Sequence, residues 1–180
     1  FMIEAAFEDI DVKRQIFTEA DKYAPPHAIL ATNTSSLPIS EIAGFTSRPQ
    51  AVIGMHFFNP PPIMKLVEVV MGDKTSRETL DITLGLARRM GKEPVVVNKD
   101  VPGFIANRVF LRLADSACLM VERGEATIQA IDSAARYVLG FPMGVFELMD
   151  FVGIDVMDFI AKAMAARGVK RVPCNLIGEK

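Results

Sequence analysis

Hydrophobic and polar positions alternate between two patterns over the first hundred residues. Short apolar runs bounded by polar turns predict buried strands at residues 1–6, 28–32, 65–71 and 95–97, and a further one within residues 51–62, where the prolines at 60–62 end its ladder. Between these runs, apolar residues recur at helical spacing, in segments that end before Pro25 and near Gly91. Ser40, just ahead of Glu41, is expected to cap a short helix. Strands that alternate with helices are typical of a largely parallel sheet covered on both faces, the α/β class.

The pattern changes at Val101-Pro102-Gly103, and helical spacing continues alone beyond that point. It predicts helices at residues 104–123, 128–139, 145–151 and 155–166. We therefore expect an α/β domain over residues 1–100 and an all-helical domain over residues 101–180. The apolar side chains of the second domain are expected in its core or at a subunit interface, among them Leu111, Leu119, Met120, Phe146, Leu148, Phe151 and Phe159. The tail from Val169 could lead into another helix or domain.

The amino-acid composition of the chain limits the classes of molecule that it is expected to bind. Half of the 180 residues are hydrophobic, and 20 basic against 22 acidic residues give a net charge of −2 with no basic stripe. We therefore expect no nucleic-acid partner, no anionic membrane surface and no membrane span, and small molecules are favoured instead. Cys118 and Cys174 show neither metal-ligand spacing nor a secreted-type disulfide framework, which favours the cytoplasm or an organelle matrix.

Two ionisable residues stand in apolar surroundings. His56, one of two histidines, lies near the end of its strand, ahead of the prolines at 60–62. Glu68 lies within the apolar run 66–70, where an ionised carboxylate is costly unless it is paired, and a histidine is a natural partner. His56 could instead be a structural, hydrogen-bonded histidine, and Glu68 could face water from a strand with alternating burial.

A cluster of small polar side chains, Asn33-Thr34-Ser35-Ser36, follows the strand at 28–32. Open α/β sheets bind ligands at the carboxyl edge of their strands, where this cluster is expected. A plain polar turn or a helix cap would use the same residue types. His27, which follows two prolines, is expected in an exposed turn with no functional role.

Four long sequence segments together resemble those of a known enzyme family: ATNTSSLPISEIA, GMHFFNPPPIMKLVEVV, KDVPGFIANRV and GFPMGVFELMDFVGID. In this order and at these distances, over residues 1–166, they resemble the NAD-dependent L-3-hydroxyacyl-CoA dehydrogenases of fatty-acid β-oxidation. The resemblance implies the later part of a Rossmann-type, mostly parallel sheet followed by an all-helical domain. It also implies NAD as the cofactor, an acyl-CoA substrate, and a homodimer formed through the helical domain.

The resemblance assigns catalytic roles. His56 would be the general base for the substrate hydroxyl and Glu68 its partner, while Ser35 and Asn107 would face the substrate oxygen. Asn59 would support the site. Without the resemblance, Asn107 would pass for a helix N-terminal residue bonded to nearby backbone. Because Asn107 falls in the first turn of the predicted helical domain, the expected site lies in a cleft between domains.

For the cofactor, the resemblance points to Glu8, Lys13, Asn33 and Ser35. On their own, Glu8 and Lys13 would pass for charges on a solvated helix turn. No GxGxxG motif, which would hold the NAD pyrophosphate at a helix N-terminus, occurs in the sequence. We therefore expect this chain to be a piece of a longer protein, and by itself to be inactive, weak in NAD binding and prone to association at the strand at 1–6.

Three functions remain open on this evidence. The first is a dehydrogenase that interconverts L-3-hydroxyacyl-CoA and 3-oxoacyl-CoA. The second places the same activity in a multifunctional chain that also hydrates enoyl-CoA. The third is a noncatalytic dimerisation module, for which the helical domain would suffice. The joint presence of Ser35, His56, Glu68 and Asn107 favours an enzyme, because a dimerisation module does not need that set.

Overall fold

The computed structural model describes residues 1–170, apart from the side chains of Phe159 and Ala163. Cys174 and the rest of the tail from residue 171 lie outside the described residues, as does the predicted packing of Phe159. The chain forms two compact units, Phe1–Ile105 and a second that begins at Ala106. The expected domain boundary at residues 100 and 101 lies a few residues earlier than this division.

Within the described residues, the first unit contains one five-stranded sheet whose strands lie side by side in chain order. Strand β3 pairs antiparallel with β4, and the other neighbours pair in parallel. This mostly parallel, helix-covered sheet confirms the predicted Rossmann-type α/β class. The strands are β1 (Met2–Glu4), β2 (Leu30–Thr32), β3 (Val52–Phe57), β4 (Leu66–Val70) and β5 (Glu93–Val97).

Three α-helices connect the strands of the described part of this unit: α1 (Ile10–Tyr23), α2 (Ile39–Ala43) and α3 (Arg77–Arg89). The Asp9 side chain caps α1 and the Ser76 side chain caps α3, as N-terminal capping residues do. The predicted cap at Ser40 is wrong, because α2 already begins at Ile39 and Pro38 precedes it. The Ser40 hydroxyl instead accepts a hydrogen bond from the Asp73 N–H at 2.8 Å.

The central strands β2, β3 and β4 are buried on both faces, which explains their nearly continuous apolar runs. Successive residues of β2 and β3 alternate between two cores, and each core is closed by helices. Gly54 of β3 lies under α2, where an added Cβ would stand 2.8 Å from Ile39 Cδ1 and 2.9 Å from Val70 Cβ. A glycine is therefore needed for α2 to pack this closely on the sheet.

The second unit is helical throughout its described secondary structure, as predicted. Its helices are α4 (Ala106–Glu122), α5 (Ile128–Tyr137), α6 (Val145–Val152) and α7 (Ile154–Ala165). No helix in residues 1–170 is both long and apolar enough to cross a bilayer. Cys118 is buried in this unit, with 0% of its surface exposed.

The apolar residues of the helical unit divide into core and surface. Leu111 is buried and Phe146 packs against the same core, while Leu119 and Leu148 are half-buried. Met120 and Phe151 are exposed, with 38% and 70% of their surface accessible, so their predicted place in the core is wrong. Their place at a subunit interface stays a prediction.

The last residues of the first unit form a turn rather than a helix. Helical spacing predicted a helix from Phe104, but α4 begins at Ala106. Gly103 and Phe104 both have positive φ, 75° and 46°, which a helix excludes. Phe104 is buried in the core of the first unit and is therefore part of its fold.

Candidate active site

The antiparallel register of β3 and β4 places His56 directly opposite Glu68. His56 Nδ1 lies 2.7 Å from Glu68 Oε2, and the residues are 4% and 0% exposed. The alternative in which Glu68 faces water is wrong. Cross-strand partners lie on the same side of a sheet, so the ladder itself brings the two side chains together.

Three neighbours enclose the pair. The His56 ring contacts the Phe58 ring at a centroid distance of 4.6 Å and the Phe104 ring, edge to face, at 5.6 Å. Glu68 Oε1 accepts a hydrogen bond from the Ile105 N–H at 2.9 Å. Each carboxylate oxygen thus has a hydrogen-bonding partner, which offsets the cost of burying the charge.

The pairing also distinguishes the two imidazole nitrogens. A carboxylate only accepts hydrogen bonds, so Nδ1 carries the proton that points at Glu68. In neutral imidazole the other nitrogen, Nε2, then holds a lone pair and can accept a proton. The arrangement can therefore perform general-base chemistry at Nε2.

Glu8 organises the polar loop after β2. Its Oε1 accepts hydrogen bonds from the Thr34 hydroxyl at 2.6 Å, the Ser35 N–H at 2.9 Å, and the Ser36 N–H and hydroxyl at 2.8 and 3.0 Å. Burial raises the pKa of Glu8, but these hydrogen bonds outweigh burial and hold the pKa below its ordinary value. The loop is thus more than a plain polar turn, since a distant carboxylate fixes its shape.

Lys13 is not a solvated helix charge, and that alternative is wrong. It is 1% exposed, and its Nζ donates to Glu4 Oε1 at 2.7 Å and to the Ala6 carbonyl at 3.0 Å. Glu8 Oε2 lies 3.8 Å from the same Nζ. Glu4 Oε2 in turn accepts from the Thr32 hydroxyl at 2.7 Å. This buried ion pair ties α1 to β1 and β2.

Sequence reasoning missed Glu4 and Thr32 as members of this cluster. Both lie at strand ends, and a charged residue in the apolar start of the chain was the available signal. The position of Lys13, four residues before the buried Phe17 on the same helix face, was a second signal. Neither signal names the partner, because the partner comes from a different element.

The other predicted site residues fall in different places. Asn33 joins two strand ends, since its Oδ1 accepts from the Phe57 N–H and its own N–H donates to the Glu4 carbonyl, both at 2.8 Å. Ser35 is half-buried, and its hydroxyl makes no hydrogen bond within residues 1–170. Asn59 is exposed beside the cis peptide bond to Pro60.

Asn107 belongs to the second unit, where it is half-buried in the first turn of α4. Its role next to the substrate oxygen stays a prediction. His27 is exposed, as expected.

The polar residues near Glu8 lie at the carboxyl ends of β1 and β2. Polar groups of the β1 and β2 ends, with the shaped loop at 33–36, occupy the edge at which open α/β sheets bind nucleotides. Lys13 does not fit a direct contact with the cofactor, because its ammonium is buried against Glu4. Any contribution of Lys13 to cofactor binding would be indirect, through its hydrogen bond to the Ala6 carbonyl.

Two family models cover nearly the whole chain. Residues 1–101 match the NAD-binding domain of 3-hydroxyacyl-CoA dehydrogenase, and residues 103–178 match the C-terminal domain of 3-hydroxyacyl-CoA dehydrogenase. The expectation of NAD as the cofactor of this family is thereby confirmed.

Similar proteins agree with the two models. A probable 3-hydroxybutyryl-CoA dehydrogenase of Bacillus subtilis (strain 168) is 51% identical over 180 residues, which is 98% of this chain and 62% of the relative. The mitochondrial hydroxyacyl-coenzyme A dehydrogenase of Homo sapiens is 45% identical over 159 residues, 88% of this chain and 50% of the relative. The chain thus spans between half and two thirds of the length of these relatives.

A solved structure with the same fold supports the same family. The crystal structure of 3-hydroxybutyryl-CoA dehydrogenase from Escherichia coli K12 superposes with a TM-score of 0.92 at 40% identity, covering 98% of this chain and 38% of that one. Sequence models, curated relatives and solved structure all indicate the same oxidoreductases. The chain belongs to the 3-hydroxyacyl-CoA dehydrogenase family.

Proposed function

We propose that the natural protein carrying this sequence interconverts L-3-hydroxyacyl-CoA and 3-oxoacyl-CoA with NAD, using His56 as the general base and Glu68 as its partner. The observation that carries the proposal is the 2.7 Å contact between His56 Nδ1 and the fully buried Glu68 carboxylate. A charge buried beside an imidazole is a costly arrangement that catalysis explains.

His56 Nε2 removes the proton from the substrate 3-hydroxyl. The Glu68 carboxylate holds the imidazole in the tautomer that leaves Nε2 free of a proton, and it stabilises the imidazolium once the proton has moved. NAD, when bound, supplies the acceptor for the hydride that leaves C3. In the reverse direction His56 returns its proton to the 3-oxo oxygen.

Ser35 and Asn107 complete the proposed site. Their neutral side chains donate hydrogen bonds to the substrate oxygen, which gains negative charge in the transition state. The lack of a hydrogen bond to the Ser35 hydroxyl within residues 1–170 supports this role, because a substrate oxygen would then be its partner. Asn59, exposed after β3, supports the site from its rim.

Cofactor contacts are proposed for the loop next to Glu8. Ser35 and Asn33 lie at the carboxyl end of β2, and Glu8 holds that loop in shape. Lys13 acts indirectly, by fixing the Ala6 carbonyl in the segment that carries Glu8. An acyl-CoA substrate and a homodimer through the helical unit belong to the same proposal. Large exposed side chains of that unit support the dimer: Tyr137, Val138 and Phe151, at 82%, 80% and 70% exposure.

The test is NADH oxidation with acetoacetyl-CoA, measured in the natural protein and in a His56→Gln variant. Glutamine keeps a hydrogen-bonding side chain but cannot take the proton, so kcat is expected to fall by about 100-fold or more. NADH binding, measured by fluorescence, is expected to stay within about threefold of the parent, because His56 is not a proposed cofactor contact.

His27→Gln is the matched control, since it makes the same change at the exposed histidine. It is expected to leave kcat unchanged. Parent and His56→Gln proteins of equal activity would remove His56 from the chemistry. A folded, NADH-binding parent that does not turn over acetoacetyl-CoA would favour the noncatalytic module.

A further inference from the structure

The turn at 101–105 contains an unusual backbone conformation. Among residues 1–170, Phe104 is the one non-glycine residue with a positive φ, 46°, and it follows Gly103 at 75°. Its N–H donates to the Val101 carbonyl at 3.0 Å, which closes the turn. Positive φ is strained for a bulky side chain and persists only where the surroundings enforce it. Phe104 is 3% exposed, so its ring has a fixed place in the core.

Consecutive residues of this turn contact both members of the His56–Glu68 pair. The Phe104 ring meets the His56 ring edge to face, at 5.6 Å and an interplanar angle of 60°. The next N–H, that of Ile105, donates to Glu68 Oε1 at 2.9 Å. The left-handed conformation at Phe104 is what turns the ring and the following N–H toward these two partners.

We propose that Phe104 is a positioning residue for the His56–Glu68 pair. Its ring fixes the rotation of the imidazole and keeps water from the Nδ1 contact, while its backbone aims the Ile105 N–H at Glu68. This inference deepens the proposed function and rests on it, since positioning matters for turnover only if His56 is the base.

The Phe104 ring restrains rotation of the His56 imidazole, whereas the Ile105 N–H restrains rotation of the Glu68 carboxylate. A histidine ring that rotates about its χ2 angle would move Nε2 away from the substrate proton, and a packed aromatic edge opposes that rotation. A carboxylate held at one oxygen can swing about its own terminal angle, and the donor at Oε1 prevents this swing. Phe58 also contacts the imidazole, but it is only half-buried. Phe104 is therefore the neighbour that excludes water.

The test compares Phe104→Leu with Phe17→Leu. Both substitutions remove a buried ring from the same core, but the aromatic contacts of His56 are with Phe58 and Phe104 and do not include Phe17. The histidines are labelled with nitrogen-15 in the natural protein, and imidazole NMR signals report tautomer and mobility. The chain has two histidines, and exposed His27 serves as an internal reference.

Phe104→Leu is expected to shift or broaden the His56 signals and to lower kcat about tenfold, with KM for both substrates within about twofold. Phe17→Leu is expected to lower the unfolding midpoint but leave the His56 signals and kcat at parent values. Phe104→Tyr keeps the ring and is expected to restore the parent His56 signals. Unchanged His56 signals and kcat in Phe104→Leu would overturn the proposal.

A measurement on the parent guards against a variant that does not fold. A nuclear Overhauser effect between the His56 and Phe104 ring protons is expected, and its absence would overturn the proposal without any substitution. The two proposals also fail separately. Full activity in His56→Gln defeats the proposed function, whereas an inactive His56→Gln with an unaltered Phe104→Leu defeats only the positioning role.

Discussion

Lys13 and Glu4 form an ion pair at 2.7 Å in which both side chains are almost completely buried. The pair joins the first helix to the first strand, and Lys13 also donates to the Ala6 carbonyl. The Lys13 ammonium thus holds neighbouring groups of the chain in place. Its removal is therefore a test of protein stability rather than of catalysis.

Lys13→Met is expected to lower the free energy of unfolding by about 3–5 kcal/mol, because Glu4 is left as an unpaired buried charge. Urea unfolding followed by circular dichroism measures this loss. Lys22→Met on the same helix is the control, since Lys22 is exposed and its loss is expected to cost under about 0.5 kcal/mol. Equal losses in the two variants would contradict the buried ion pair.

Glu8→Gln is expected to destabilise the protein by about 1–2 kcal/mol at pH 7, because a charged acceptor of several hydrogen bonds becomes neutral. The sign of the pH dependence follows from the lowered pKa of Glu8. The unfolded chain takes up this proton first as pH falls, so the stabilisation is full above the ordinary value of 4.5 and is lost as pH drops through the folded-state pKa.

The difference between parent and Glu8→Gln in urea unfolding should therefore shrink steadily from pH 5 to pH 3. Glu19→Gln, an exposed carboxylate on α1, controls for the removal of charge alone. A Glu8→Gln difference that is constant over this range would show that the carboxylate charge does not contribute.

Glu68→Gln is expected to lower kcat about 10- to 100-fold with little change in KM, because an amide can no longer stabilise the imidazolium. Steady-state NADH oxidation measures both constants. Glu93→Gln lies on the neighbouring strand and is exposed, so it is expected to behave as the parent. Parent-like turnover in Glu68→Gln would exclude Glu68 from the mechanism.

Asn33→Ala is expected to cost about 1 kcal/mol of stability, since the Phe57 N–H loses its acceptor next to His56. Asn33→Asp keeps an acceptor of the same shape and is expected to retain more of that stability. Thermal unfolding compares the two. If both variants unfold as the parent does while NADH binding weakens, Asn33 acts on the cofactor and not on the strands.

Gly144→Ala is expected to destabilise the helical unit by about 1–3 kcal/mol, because an added Cβ would collide with the Asp132 side chain. Asp132 cannot easily withdraw, as its Oδ1 accepts from the Phe146 N–H at 2.8 Å. Gly85→Ala is the contrasting variant. Gly85 lies inside α3 with open space around it, so alanine there is expected to add up to about 1 kcal/mol. Calorimetry measures both.

The sequence predicted those features that depend on neighbouring residues or on an energetic penalty. Alternating apolar runs identified the strands, and the cost of a lone carboxylate in Glu68 pointed to His56 as its partner. The antiparallel ladder supplied what no local pattern carries, namely the register that puts the two side chains face to face.

Other features depended on distant contacts and could not be read locally. Lys13 counts as polar in any periodicity, and its burial follows from a partner on another strand. Phe104 falls at helical spacing with the apolar residues after it, but core packing overrides that preference and gives it a positive φ. The position of Ser40 ahead of Glu41 predicts a cap, and the actual partner of its hydroxyl, the Asp73 N–H, lies in a different loop that the local pattern does not identify.

Among the described strands, β3 and β4 form the one antiparallel pair, and their register sets the geometry of His56 and Glu68 independently of the loop that links them. Residues 58–65 leave β3 and return as β4, and their course does not determine which side chains meet, because the ladder sets that match. Residues could therefore be added to or removed from this loop without changing which residue of β4 faces His56. A slip of one residue between the strands would instead send Glu68 to the opposite face. The contact between His56 and Glu68 thus tolerates changes in the length of this loop but not in the alignment of its two strands.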